Sequence, residues 1–357
     1  MIYCMRDSPL KKIYLELEKL KLDCLLVSSA ANISYLTQTR SRDAYLIVSK
    51  SKNIYITDFR YIEETKKNLA GFCIKKIESS VFKTIADTCK GMHLYRVGFE
   101  DRNLAFAEYT KIKEEMDYCV ELIPTHNIVE DLRQLKTQEE LEKIKFATKI
   151  AIKAFNFIKD LIVPGKKEVE IAADLERFMR YNGAYSSSFD IIVASGPNSS
   201  FPHHVTSERK IRNNEPVLID LGVDYLGYKS DLTRVFFLGK ISSSCKRIYN
   251  IVLQAQKRAI KAIKPAVNIN KIDAAARQFI ASQGFGGFFG HNLGHGIGLE
   301  VHEAPHVSSK ETNKLLPGMV FTVEPAIYLP GKFGIRIEDM CLITKKGVEV
   351  ISGSLNK

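Results

Sequence analysis

Apolar residues recur along this chain in two periods, and the period changes from segment to segment. Short apolar, β-branched runs at 23–28 (DCLLVS), 44–49 (AYLIVS) and 53–57 (NIYIT) predict strands. An amphipathic helix precedes them, and helical stretches such as 61–69 and 103–116 alternate with them. Strand–helix alternation of this kind predicts a small α/β domain, closed by a strand at Val120–Ile123 ahead of Pro124. Within it, Asn32–Thr37 and Asp58–Tyr61 are polar stretches without a chemical pairing, and they read as turn and packing residues.

The segment ending at Gln134-Leu135-Lys136 is a connector. Thr137-Gln138-Glu139-Glu140 is a capping box, in which Thr137 and Glu140 satisfy each other's exposed amides. Ile144, Ala147, Ala151, Phe155 and Ile158 follow at helical spacing, so a long core-facing helix begins here. The boundary falls at about 128–136, giving domains of 1–130 and 131–357. The second domain repeats itself at an offset of 101: Pro164 matches Pro265, Ile171 matches Ile272, Phe178 matches Phe279 and Gly183 matches Gly284. Each half runs helix, helix, then strands ending in a hairpin.

The hairpins carry acids in apolar surroundings. In VLIDLGVDYLGYKSDLTRVFF, a turn centred on Tyr225-Leu226 sets Asp220 directly opposite Asp231. In the second half, a reversal centred on Gly331 sets Glu324 opposite Glu338. Opposed side chains lie ~4.5–5.5 Å apart at Cβ, where like charges destabilise a sheet. Two such pairs in hydrophobic strands need a cation or a shared proton.

Histidine strengthens the first option. The stretch from Gly290 to Asp339 holds four of the eight histidines: His291, His295, His302 and His306. Histidine with carboxylate is the ligand set of a hydrolytic divalent metal. Four carboxylates and His295 exceed one tetrahedral site and suit two bridged ions that activate a water and polarise a carbonyl. An oxygen-rich set favours Mn²⁺ or Co²⁺, with Zn²⁺ left open by its higher affinity.

Composition adds exclusions. At 357 residues the chain is long enough for two domains, and 45% hydrophobic with 26% charged residues is ordinary for a soluble protein. No apolar run reaches signal-peptide or membrane-span length, so no membrane role is expected. The seven scattered cysteines, at 4, 24, 73, 89, 119, 245 and 341, form no CxxC and fit reduced thiols and a cytoplasmic location. Net charge is +11, with 32 Lys and Arg against 23 Asp and Glu after residue 130. The basic residues are dispersed along helices without an aromatic-interleaved patch, so nucleic acid is not expected as a partner.

These motifs resemble the pita-bread metallopeptidases: methionine aminopeptidase, aminopeptidase P, prolidase and creatinase. The resemblance rests on Asp220-Leu-Gly, Gly227-Tyr-Lys-Ser-Asp231-Leu-Thr-Arg, Gly294-His295-Gly-Ile-Gly, Val301-His302-Glu303, Val323-Glu324-Pro325 and Arg336-Ile-Glu338-Asp339. Asn32–Thr37 and Asp58–Tyr61 look like the creatinase-type N-terminal domain, which favours the aminopeptidase P and prolidase branch. The implied fold class is α/β (α+β), a small creatinase-like domain followed by a pseudo-twofold pita-bread catalytic domain.

The implied roles follow position by position. Asp231 and Glu338 would bridge two metal ions, Asp220 would hold one, and His295 and Glu324 the other. Glu324 would also exchange a proton with the bridging water. His203 and His302 would be catalytic, His291 would line the pocket for the residue after the scissile bond, and Arg336 would support the carboxylates at the substrate site. The resemblance leaves His204 and His306 without a role, and His204 reads as a structural neighbour of His203.

The implied activity is cleavage of Xaa-Pro bonds at the N-terminus of peptides by a homodimer, with Xaa-Pro dipeptidase as the alternative. A catalytically idle binding module is the reading from another class, and the complete ligand set argues against it. Some prolidases hold the dipeptide carboxylate with an arginine near the position of His306. Histidine there lacks the bidentate fork, so tripeptides and longer peptides are expected to be cleaved at least as well as dipeptides.

Overall fold

The computed structural model describes residues 9–357, so Cys4 and the first eight positions of the N-terminal domain lie outside the described residues. The chain divides into two compact units, with the break between Arg133 and Gln134.

The first unit begins with α1 (Pro9–Leu20), whose Ile13 and Leu17, one turn apart, are buried. It continues through β1 (Cys24–Val27), α2 (Ala30–Thr37), β2 (Ala44–Ser49), β3 (Ile54–Thr57), α3 (Ile62–Asn68) and β4 (Cys73–Lys76). It closes with α4 (Val81–Gly91), β5 (Arg96–Glu100), α5 (Phe106–Glu115), β6 (Glu121–Thr125) and α6 (Ile128–Arg133). One six-stranded sheet has the order β4-β3-β2-β1-β5-β6. The β1–β2 and β2–β3 pairs are antiparallel; the other three are parallel. The stretch read as a polar turn at Asn32–Thr37 is helical instead. Ser29 caps α2 by accepting from Asn32 N, and the buried Asn32 amide bonds both Glu100 (2.6 Å) and Glu130 (2.7 Å). Those are packing roles inside this unit.

The second unit opens with α7 (Gln138–Ile158), capped as its sequence predicts: Thr137 N donates to Glu140, and Glu140 N to Thr137 Oγ. α8 (Glu168–Tyr181) follows, then β7 (Ser186–Ser187), β8 (Ile192–Ser195), β9 (Pro216–Leu221), β10 (Val223–Tyr225), β11 (Tyr228–Lys229) and β12 (Leu232–Phe237). The second half is α9 (Ser243–Ala262), α10 (Ile269–Ser282), β13 (Gly294–Gly296), β14 (Glu303–Val307), β15 (Val320–Val323), β16 (Ala326–Leu329), β17 (Phe333–Arg336), β18 (Asp339–Thr344) and β19 (Gly347–Val350). The repeat is exact in its second helices: α8 and α10 are both 14 residues long and start 101 positions apart. Each half carries its own apolar core, one built mainly from residues 144–238 and one from 245–343. Phe155 and Phe321 are among the largest fully buried side chains, each contributing about 1.5–3 kcal/mol by leaving water.

Register decides where the acids fall. β15 pairs β18 with Val323 opposite Asp339, and β16 pairs β17 with Ala326 opposite Arg336. The same register on both sides places Glu324 opposite Glu338, as the sequence predicts. The first hairpin differs. Its turn is Leu226-Gly227, with both φ values positive (51° and 88°), the two-residue geometry that matches strand twist. Moving the turn by one residue shifts the pairing by two, so Asp220 faces Thr233 and Asp231 falls opposite Gly222. Asp220 and Asp231 are therefore diagonal neighbours and not directly opposed. A two-residue shift keeps both on one face, because side chains alternate with period two.

Candidate metal centre

The two hairpins meet where their ladders are interrupted. Glu338 N donates across to Thr233 O, and Glu324 N to Leu293 O, so each glutamate's backbone ties its strand to a different neighbour. His295 comes from β13, which sits between β14 and β15. That fit needs glycine on either side: a β-carbon on Gly294 would collide with the Thr322 carbonyl, and one on Gly296 with the Ala304 carbonyl. A β-bulge between His295 and Gly296 breaks the regular pairing beside the histidine.

These elements bring together all five residues expected to hold metal. Asp231, His295 and Glu338 place one ligand atom each within 4.8 Å of one another. His295 Nε2 lies 3.3 Å from Glu324 Oε1 and 3.5 Å from Asp231 Oδ2. His295 Nδ1 lies 3.1 Å from the Gly296 carbonyl, so a proton on Nδ1 bonds there and leaves the Nε2 lone pair facing the acids.

The charges are out of balance within the protein. Asp220 Oδ1, Asp231 Oδ1 and Glu338 Oε1 are buried without a hydrogen-bond partner. Burial, then repulsion from Glu338, Asp220 and Glu324, pushes the Asp231 carboxyl well above its usual range. Glu338 is raised likewise, by burial and then by Glu324 and Asp220. Burial also acts against charge on Glu324, but His295, His291 and Arg336 outweigh it and hold that carboxyl below its usual range. An unpaired buried carboxylate costs several kcal/mol, of order 3–5 by removal of a partner. The donor set therefore fits divalent cations, which would supply both the charge and the partners that the orphaned oxygens lack.

Two threonines that the sequence reading passed over complete the shell. Thr233 Oγ1 donates to Glu338 Oε2 (2.8 Å), and Thr322 Oγ1 to Glu324 Oε1 (3.0 Å). Thr322 also accepts from His295 N. Each stands two residues along the chain from an acid at the end of its strand, Thr233 from Asp231 and Thr322 from Glu324, and that spacing is the available signal.

Arg336, expected to support the carboxylates and grouped with the substrate-binding residues, makes its contacts within the protein. It is 4% exposed, with Nε on Thr233 Oγ1 (3.0 Å), Nη1 on Pro202 O and Tyr328 Oη (3.2 and 2.6 Å), and Nη2 on Asp220 Oδ2 (2.6 Å). It holds Asp220 in place and has no such fork free for a ligand. Burial, against the opposing pull of the Arg336 guanidinium and with a lesser push from Glu324 and Asp220, raises the Tyr328 hydroxyl to about 12. Tyr328 Oη lies 3.3 Å from His291 Nε2, and His291 Nδ1 lies 2.7 Å from Asn292 O. With both nitrogens occupied in this way, His291 offers a cavity its ring and not a free donor, and burial lowers its pKa.

A cavity of about 790 Å³ opens onto the acids and is lined by His203, His204, His302 and His306 among others. The His302 ring packs edge-on to His295 with centroids 4.2 Å apart. Burial, then the charges of His295 and His203, keep its imidazole neutral at higher acidity than usual. Behind it, Glu303 is pinned by the buried Lys136 ammonium at 2.7 Å. His306, exposed, stands opposite His295 in the β13–β14 pair.

Comparison with known proteins identifies the family of both units. Residues 142–345 match metallopeptidase family M24, and residues 9–135 match the creatinase/prolidase N-terminal domain. The chain is 37% identical over 344 residues to an Xaa-Pro dipeptidase of Pyrococcus horikoshii, covering 96% of this chain and 95% of that protein. It superimposes on an Xaa-Pro dipeptidase from Bacillus anthracis with a TM-score of 0.94 at 40% identity, over 98% of both chains. An X-Pro aminopeptidase from Thermotoga maritima follows at 0.86 and 35%, over 94% of this chain and 97% of the other.

Proposed function

This chain belongs to metallopeptidase family M24, and from that premise we propose that it cleaves the bond preceding proline in Xaa-Pro dipeptides, using two divalent cations. The observation that carries the metal assignment is the set of orphaned oxygens on Asp220, Asp231 and Glu338 beside His295 Nε2. Mn²⁺ is the proposed ion, by the oxygen-rich donor set. Divalent cations at such a site supply a water acidified into the neutral range and a polarised carbonyl.

The chain's own residues do the rest. Asp220, Asp231, His295, Glu324 and Glu338 hold the charge, and Arg336 with Thr233 fixes two of these acids in place. Glu324, held by Thr322, takes a proton during attack and returns it to the departing amine. His302, neutral near pH 7, donates to the substrate carbonyl oxygen as charge develops there, and His203 lines the same cavity. The His291 ring offers an apolar wall to the proline. A bond before proline has no N–H to grip, and attack centred on a polarised carbonyl needs none.

Dipeptides come first because the relatives named Xaa-Pro dipeptidases include the B. anthracis structure at 40% identity. That reverses the order of preference drawn from the sequence. The aminopeptidase reading keeps one observation in its favour: His306, on the cavity wall, lacks the carboxylate-binding fork of an arginine. Metal-stripped protein restored with Mn²⁺, Co²⁺ or Zn²⁺ and assayed on Ala-Pro and Ala-Pro-Ala separates the two. A higher kcat/KM for Ala-Pro is expected; equal or better cleavage of Ala-Pro-Ala makes the chain an aminopeptidase, and no cleavage of either ends both readings.

A further inference from the structure

One buried acid near the cavity stands outside the carboxylate cluster. Glu168 opens α8 and is wholly buried, and its oxygens gather donors from separate points between Ser195 and Ser207. Oε1 accepts from Ser195 N and Oγ, both at 2.7 Å, and from Asn198 Nδ2 at 3.1 Å. Oε2 accepts from Ser207 Oγ at 2.6 Å, from Ser207 N and Asn198 Nδ2 at 3.2 Å each, and lies 2.9 Å from His204 Nε2. Burial alone would push this carboxyl up. The bonds from Ser207, Ser195 and His204 outweigh it, so the group sits below its usual range and is ionised at neutral pH. A carboxylate only accepts, so His204 Nε2 is the donor.

Between Asn198 and His204 the chain makes an excursion that carries His203 onto the cavity wall. The same loop exposes two apolar side chains, Phe201 (59%) and Val205 (84%), and Val205 lines the cavity. Both ends of the excursion close on one carboxylate. Its middle is held from the other side, through Arg336 Nη1 to Pro202 O and Gly334 N to Ser199 Oγ (2.8 Å).

We propose that Glu168 is a positioning residue for this site, fixing through His204 the loop that presents His203 and Val205 to the substrate. The inference rests on the reading of His203 as substrate-facing. Glu168 touches no reacting atom; it sets the aim of a loop that does. His204 is then the link between a buried charge and the cavity wall, and not a spare imidazole.

The test compares two substitutions in the full-length, metal-loaded protein. His204→Leu fills the space but cannot donate, whereas His204→Gln keeps an N–H for Glu168. His204→Leu should lose on the order of 10- to 100-fold in kcat/KM on Ala-Pro, the scale of a catalytic group displaced by about 1 Å, with metal content unchanged. His204→Gln should recover most of that loss. Amide exchange across 199–207 gives a readout that needs no substrate: faster in His204→Leu, close to wild type in His204→Gln.

Wild-type kinetics and exchange in His204→Leu overturn the proposal. So does a His204→Gln variant as impaired as His204→Leu, since the imidazole itself would then be required. Should His204→Leu fail to fold, Ser207→Ala removes a Glu168 donor from the far end of the loop and must speed exchange there by a smaller factor. If the wild type cleaves no Xaa-Pro peptide, the functional reading falls while the exchange comparison still decides this one.

Discussion

Asp231 and Glu338 are each buried among other acids, which makes them the residues most sensitive to what else occupies the site. Asp231→Ala and Glu338→Ala are expected to lose measurable activity and bind clearly less metal per chain than wild type by elemental analysis. Full occupancy with normal turnover in both would remove the dinuclear assignment. His302→Ala and His203→Ala should separate from these: metal stays, and turnover falls by ~10²-fold or more for loss of a donor or proton-transfer group. The charged residues were legible in the sequence because acids in apolar strands are conspicuous. Thr233, Thr322 and Tyr328 were not, because a hydroxyl in a strand is unremarkable until the strand's face is known.

Strands and turns set the precision with which those residues meet. The second hairpin was read in its true register, because Gly331 marks the centre of a three-residue loop. The first was misread by one residue at the turn, because Tyr225-Leu226-Gly227 allows two centres and sequence alone does not say that Leu226 takes a positive φ. The error left the face correct and the opposition wrong. α2 escapes the sequence reading because the eight residues AANISYLT show little helical period; the Ser29 cap is the available clue.

Two further outcomes belong at this scale. Gly294→Ala, which drives a β-carbon into the Thr322 carbonyl, should cost about 1–3 kcal/mol in urea denaturation, as overpacking does, and weaken metal binding through His295. Gly331→Ala, with open space around it, should cost only the roughly 1–2 kcal/mol of a left-handed residue and leave metal binding intact. α8 carries a pH signature. Glu168 is depressed in the fold, so its stabilisation is present above the unfolded carboxyl value of about 4.3 and lost as pH falls through the folded one. Thermal midpoints between pH 7 and 3.5 should therefore fall more steeply for wild type than for Glu168→Gln.

At the scale of the whole chain, the division at Arg133 and the pseudo-repeat beyond it assign all five candidate ligands to the second unit. Metal at about 100 times its dissociation constant would stabilise the fold that binds it by about 2.7 kcal/mol. Added Mn²⁺ should slow amide exchange within residues 134–357, most at β9, β12, β13 and β18; protection confined to the first unit would place the ion elsewhere. Fold class and family were legible from motifs that local chemistry makes unmistakable. The choice between dipeptides and longer peptides was not, since it depends on what surrounds His306 in space. The distribution of the acids has an engineering consequence as well. Asp220 and Asp231 belong to one half of the unit, and His295, Glu324 and Glu338 to the other, joined by a single strand of chain at Gly239–Ser242. A protease site inserted there and then cut would leave two fragments sharing one set of charges. Divalent cation would then tighten their association and chelator weaken it, on top of the Arg234–Asp339 ion pair and the packing of Met340 and Leu342 into the first half's core, making the nicked protein a metal-sensitive splint.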